Sequence, residues 1–213
     1  MSIPVRMVER LSGYRRHLRR WLAEGRDRIY SHQLGSLVGA TPAQVRRDLM
    51  TIGFTGSPAR GYDVGGLVGK IGTLLDAPER NSMVLVGLGY LGRALLKYLT
   101  GTHPELPIVA AFDIAPQKIG RIIDGCRCYA SSEIQSVVRQ EPVLIGIIAV
   151  PAEAAQEVAD LLVRAGVRGL LNFSPTRLQV PPGVHVEDVD ISISLEKVAF
   201  FARSKNRRLE TQA

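Results

Sequence analysis

Apolar positions in the first fifty residues recur at helical spacing. Val8, Leu11, Tyr14, Leu18 and Leu22 form one stripe with Trp21 beside it, and Gly25 ends the run, so the spacing predicts a first helix. Ser31 is placed to cap a second, short helix carrying Leu34, Leu37 and Val38, which Gly39 stops. Thr41-Pro42-Ala43-Gln44 opens a third: Thr41 caps, Pro42 takes the first helical position and Gln44 stands where a capping box needs it. Val45, Leu49 and Ile52 form its inward row, leaving Gln44, Arg46, Arg47, Met50 and Thr51 facing out. Two short helices joined across Gly39 to Thr41 make a helix-turn-helix whose second member is the recognition helix. Phe54 to Tyr62 is turn-rich and long enough for a two-stranded wing, with Arg60 its only charge. Asp63 then opens a helix over Val64, Leu67, Val68, Ile71, Leu74 and Leu75, interrupted by glycines that each cost roughly 1 kcal/mol, so it depends on packing.

From Met83 the period changes to strands alternating with helices. Apolar β-rich runs fall at Met83 to Val86, Ile108 to Phe112, Val143 to Val150 and Gly169 to Phe173, with a weaker one at Cys126 to Ala130. Helical patterns separate them at Leu91 to Leu99, Glu133 to Gln140 and Ala152 to Ala165, the order of a doubly wound parallel sheet. A last helix runs from Ser192 to Arg208, with Ile193, Val198, Phe200 and Phe201 apolar and Arg203, Lys205, Arg207 and Arg208 at its end. The reading is therefore α/β: residues 1–76 form a winged helix-turn-helix domain, 77–82 a linker, 83–191 a Rossmann-like domain, and 192–213 a C-terminal helix and tail.

Charge sharpens this division. Residues 1–60 hold 11 Arg and four acids (Glu9, Glu24, Asp27, Asp48), whereas residues 61–213 hold 16 basic and 16 acidic groups, so the whole excess of +7 sits on the first quarter. Every basic side chain there is Arg, which pairs bidentately with phosphate, so a nucleic-acid-binding module joined to a neutral second domain fits better than a solvated basic face. With 46% apolar and 22% charged residues the chain is globular, and no apolar run is long enough to span a membrane or serve as a secretory signal, which points to the cytoplasm. Cys126 and Cys128, separated by one residue, make neither a disulfide framework nor a metal site.

Gly87-Leu88-Gly89-Tyr90-Leu91-Gly92 follows the first strand of the second domain and opens a helix, and Asp113 ends the next strand 21 residues beyond Gly92. A lone GxGxxG is weak, but strand before, helix after and acid beyond give it the context of a dinucleotide site. Gly87 permits the turn, Gly89 lets backbone approach a pyrophosphate, Gly92 lets helix pack on strand, and Asp113 receives ribose hydroxyls, favouring NAD(H). Val150 and Pro151, after the Val143 strand, line the nicotinamide side. No catalytic group stands beside this crevice: His17 and His32 lie in the Arg-rich domain and His103 and His185 in loops, while Tyr90 belongs to the glycine loop, with Leu88 and Leu91 among the cofactor-binding residues, and Tyr98 on the helix after it reads as a packed residue rather than an acid. A cofactor site without a catalyst suggests a sensor.

Gly39 to Leu49, Val86 to Leu95, Ala110 to Asp113, Ala149 to Asp160, Gly169 to Pro175 and Val186 to Asp190 together resemble the Rex family of redox-sensing transcriptional repressors over nearly the whole chain. The resemblance implies a homodimer on operator DNA, NAD(H) as ligand, a C-terminal helix swapped into the partner, and release from DNA by NADH. It also places Arg16, Tyr98 and Asp190 near the domain junction as switch residues. Gln44, Arg46 and Arg47 then read or anchor in the major groove. After the recognition helix the chain departs from the family, running Met50-Thr51-Ile52-Gly53 and then Ser57-Pro58 where a basic wing residue is expected, which leaves Arg60 for that contact. Two other readings remain open: an NAD-dependent dehydrogenase with a basic N-terminal extension, and a CoA- or nucleotide-binding subunit of a ligase, which leaves the Arg-rich helix-turn-helix unexplained.

Overall fold

In a computed structural model the backbone is described for residues 3–57, 59–76, 82–103 and 105–210, with side chains to residue 203. The chain divides into two compact units, Met1–Glu79 and Arg80–Ala213. Of the expected linker, residues 77–81 lie outside the described residues, and Ser82 begins a strand.

The first unit holds α1 (Val5–Ala23), β1 (Arg28–Ile29), α2 (Ser31–Val38), α3 (Pro42–Thr51), β2 (Tyr62–Asp63) and α4 (Val64–Leu75). Met7, Leu11, Tyr14 and Leu18 are the buried row of α1, and they join Leu34, Val45, Leu49, Val64, Leu67 and Ile71 in one core. Val8 and Leu22, expected on that stripe, are exposed rim residues, because the row that faces α4 starts one position earlier. Gly39 ends α2 in the left-handed region, φ 68°, and Thr41 caps α3 by accepting from the Gln44 N–H at 3.2 Å. Gln44 does not complete a capping box; its side chain turns to Asp48 instead. Nor does Ser31 cap α2: Tyr30 is the N-cap, and its N–H donates to the Gln33 side chain at 2.9 Å. The expected two-stranded wing is reduced to one bridge, Ser57 to Gly61. Tyr62–Asp63 pairs antiparallel with Arg28–Ile29, so the pairing spans some thirty residues rather than a hairpin.

The second unit is a seven-stranded sheet: β3 (Ser82–Val86), β4 (Ile108–Asp113), β5 (Ile122–Ile123), β6 (Cys126–Ala130), β7 (Val143–Ile148), β8 (Gly169–Asn172) and β9 (His185–Asp188). Its order is β5-β6-β4-β3-β7-β8-β9, parallel except for β5. The helices are α5 (Tyr90–Thr102), α6 (Ile134–Val138, after a 3-10 turn at Ser131–Glu133), α7 (Ala152–Ala165) and α8 (Ile191–Glu210). Strand alternation sorts the core: Val84, Val86, Ala110 and Phe112 face α6 and α7, while Met83, Leu85 and Ala111 face the α5 side with Leu96 and both cysteines. The helix expected over Glu133 to Gln140 is shorter and begins as the 3-10 turn. His185, expected in a loop, lies on edge strand β9, whose exposed polar positions hid it.

The strongest polar anchor of the first unit is Asp48 on α3, 2% exposed. Its carboxylate accepts from Arg10 Nε at 2.7 Å and Nη2 at 2.8 Å, from Tyr14 Oη at 3.0 Å and from Gln44 Nε2 at 2.8 Å. Burial pushes its pKa up, but these hydrogen bonds, led by Arg10, outweigh that and hold it below the usual carboxylate value. A depressed pKa contributes stability above the unfolded-chain value of about 3.9, and that contribution fades as pH falls through the folded-state value. Asp48→Asn should therefore cost about 3 kcal/mol at neutral pH, the low end for a broken buried pair because Arg10 is a quarter exposed. Urea unfolding near pH 7 and again near pH 3 should show the gap between wild type and variant closing in acid; a constant gap would contradict the assignment.

Candidate functional site

The sheet order reverses at β3: the chain moves to β4 on one side and returns to β7 on the other. Loops after strands splay apart at such a point and leave a crevice. Here it is a cavity of about 340 Å³ lined by Gly87, Gly89, Asp113, Lys118, Val150 and Pro151 among others. Gly87 adopts φ 96°, and a Cβ on it would lie 2.4 Å from the Ala149 carbonyl. At Gly92 a Cβ would fall 1.8 Å from the Gly87 carbonyl, so α5 starts flush against the end of β3. Gly89 has open space where its Cβ would be. It is the N-cap of α5 and offers no side-chain cap, so the first N–H groups of the helix are left for an anion.

The structure gathers Gly87, Gly89, Asp113, Val150 and Pro151 at one cavity. Other expected residues sit differently. Leu88 is buried in the core, Leu91 is partly exposed and Tyr90 is fully exposed. Tyr98 is 64% exposed, so it is not the packed residue the sequence suggested. Asp113, 8% exposed, is already engaged. Its Oδ2 accepts from the Leu88 N–H and from Lys118 Nζ, each at 2.8 Å, and its Oδ1 from the Ala115 N–H at 2.8 Å. Burial raises its pKa, yet the bonds from Lys118, Ala115 and Leu88 win, so it stays ionised and fastens the glycine loop to β4. Lys118 was not singled out from sequence; a Lys five residues beyond the strand-end acid is the signal that could have found it. A larger cleft of about 680 Å³, between the Ser174–Arg177 loop and the start of α8, lacks a glycine loop. Asp190 stands there and accepts from the Ile193 N–H at 2.9 Å, capping α8.

In the first unit Arg46 and Arg47 are exposed on α3. Arg46 Nη1 donates to Ser31 Oγ, and Arg47 Nη2 to Gln44 Oε1, each at 3.2 Å. Arg60 is exposed in the turn before β2, and Arg16 is exposed on α1. Among the described residues Arg10, Arg15, Arg20 and Arg26 are the arginines of this unit that pair with carboxylates, which leaves seven without a carboxylate partner: Arg6, Arg16, Arg19, Arg28, Arg46, Arg47 and Arg60. Burial pushes the Cys126 thiol up to about 11, with Cys128 adding to it, which makes it a poor nucleophile. No metal-ligand cluster occurs among the described residues.

A helix-turn-helix with free arginines, followed by a parallel sheet with a glycine-loop crevice, defines a class: DNA-binding proteins that carry a nucleotide-type ligand domain. Residues 2–49 match the family described as "Putative DNA-binding protein N-terminus", and residues 78–176 that described as "CoA binding domain". The redox-sensing transcriptional repressor Rex of Rhodopirellula baltica is 40% identical over 94% of this chain and 84% of its own length. That of Syntrophobacter fumaroxidans is 40% identical over 93% and 95%. Among solved structures, the Rex-family repressor RSP in complex with β-NAD+ and operator DNA superposes with a TM-score of 0.89 at 29% identity, covering 100% of this chain and 98% of that one. Its complex with β-NADH gives 0.85 at 29%, covering 99% of each. The chain belongs to the Rex family of redox-sensing transcriptional repressors.

The glycine geometry separates binding from folding. Gly89→Val should fold and lose dinucleotide binding, since its side chain enters open space in the crevice, whereas Gly92→Ala should lower stability because a backbone carbonyl blocks it. Thermal melting with isothermal calorimetry on NADH reads both; a Gly89→Val protein that binds NADH like wild type would place the pyrophosphate elsewhere.

Proposed function

We propose that this chain is a DNA-binding repressor that senses the NADH/NAD+ balance: it holds its operator through α2 and α3 and leaves when NADH occupies the crevice after β3. The reading rests on one conjunction, seven arginines without carboxylate partners on a helix-turn-helix unit joined to an uncapped glycine-loop crevice. It is supported by the relative solved both with β-NAD+ and operator DNA and with β-NADH. The pyrophosphate lies over the segment Gly87 to Gly92, with the N–H groups of Tyr90, Leu91 and Gly92 toward it. Leu88 acts through its backbone and its buried side chain. Asp113 receives the ribose hydroxyls with Lys118 beside it, and Val150 and Pro151 flank the nicotinamide. Arg46, Arg47 and Gln44 enter the major groove, and Arg60 contacts the backbone. The protein acts as a homodimer in the cytoplasm and carries out no turnover. The exposed apolar side chains of α8, Ile193, Leu195, Val198, Phe200 and Phe201, supply the surface for a helix swapped between subunits.

A gel shift on a palindromic operator tests this reading: NADH should release the duplex and NAD+ should not. Affinity should fall roughly 10³- to 10⁵-fold between about 50 and 200 mM salt if the dimer makes about 6 to 10 phosphate contacts. Arg46→Ala and Arg47→Ala should both weaken binding; unchanged affinity in both would exclude α3 as the reader. The match of residues 78–176 to the CoA-binding description favours a second reading, CoA as ligand, and tighter binding of CoA than of NADH would select it. Turnover of NADH with a small carbonyl compound would select a dehydrogenase.

We further propose that Arg16 of the first unit and Tyr98 and Asp190 of the second are the switch residues that couple the two ligands. Arg16→Ala and Asp190→Ala should each shrink the NADH-induced loss of operator affinity, and the double variant should add little to either. A full NADH response in both single variants would place the switch elsewhere.

A further inference from the structure

Asp48 does more than anchor α3. Its two oxygens collect Arg10, Tyr14 and Gln44 in one buried cluster, and only Gln44 passes from that cluster to the outer face of α3. Because Gln44 Nε2 donates to Asp48 Oδ1, turning the amide over would set its carbonyl oxygen against a carboxylate. The amide is thereby oriented, and its Oε1 accepts from the Arg47 guanidinium at 3.2 Å. What Gln44 retains is one amide N–H and one carbonyl lone pair. Those are the donor and acceptor that a bidentate contact to adenine requires. Arg10 matters in the opposite sense: although it counts in the basic excess, both of its bonds go to Asp48, and it is withdrawn from phosphate contact.

We propose that Asp48 is a positioning residue for base recognition, fixing the Gln44 amide, and through it Arg47, in the orientation that reads an adenine before DNA arrives. This rests on the assignment of α3 as recognition helix. The alternative is a purely structural anchor, whose loss would weaken all duplexes together.

The test uses the full chain, a duplex selected by the wild-type protein from a randomised pool, and a scrambled duplex of equal length, with affinities for both read by fluorescence anisotropy. Asp48→Asn and Gln44→Ala should each lower the ratio of selected to scrambled affinity roughly 5- to 50-fold. The double variant should fall no further than either single one. NADH binding by the second unit, unchanged, shows that the rest of the protein is intact. Should Asp48→Asn unfold the first unit, Arg10→Met combined with Asp48→Leu removes the charge pair together and keeps the packing, and the same loss of discrimination is expected. A wild-type ratio in a folded Asp48 variant, an equal loss on both duplexes, or additive single effects would overturn the proposal. Failure of the wild-type protein to discriminate any duplex would instead overturn the repressor reading, and this inference with it.

Discussion

The close approach of α5 to the end of β3 constrains the whole second unit. A Cβ at Gly92 would lie 1.8 Å from the Gly87 carbonyl, so helix and strand meet at a distance that only glycine allows. The helix must then begin with its uncapped N–H groups at the crevice, and the loop must pass beneath Ala149 and Val150. Asp113 completes the arrangement by taking the Leu88 N–H, which locks the turn to the neighbouring strand. One backbone contact and one buried carboxylate thus set the shape of the cavity, with no side chain from the loop reaching into it.

The first unit depends in a similar way on Asp48, a buried charge with four hydrogen bonds from three partners on α1 and α3. Such a cluster is costly when incomplete and rigid when complete. It also changes the charge of the DNA-facing surface. The sequence excess counts eleven arginines, but Arg10, Arg15, Arg20 and Arg26 are spent on carboxylates of their own unit. The field left for phosphate is smaller, carried by seven exposed arginines on α1, β1, α3 and the turn before β2.

What could be read from the chain follows from the range of the forces involved. The helix-turn-helix and the strand-glycine-helix segment are local: Thr41, Gly39 and the three loop glycines act on their immediate neighbours, and their spacing carries the message. The strands from Ile108, Val143 and Gly169 were legible because apolar runs in a parallel sheet are continuous, whereas Cys126–Ala130, interrupted by exposed Arg127, gave a weaker pattern. The two-residue pairing of Arg28–Ile29 with Tyr62–Asp63 was not, since it joins distant segments with no periodic signal. Edge strand β9 was hidden by its polar positions. The Asp48 cluster had a faint signal, an acid at the inward spacing of Val45 and Leu49, but its partner Arg10 stands 38 residues away. The engagement of Asp113 by Lys118 and Leu88 was likewise not legible, because sequence shows the acid but not which donors reach it.

The central claim is that one chain couples dinucleotide occupancy of the second unit to DNA affinity of the first. Coupling of this kind is reciprocal by thermodynamic necessity, and typically amounts to about 1 to 3 kcal/mol. The most direct measurement is therefore calorimetric titration of NADH into the protein alone and into its complex with a selected operator duplex, set beside duplex affinity with and without NADH. The expected result is that the duplex weakens NADH binding by the same factor by which NADH weakens duplex binding. Equal NADH affinity in the presence and absence of bound duplex would contradict the account.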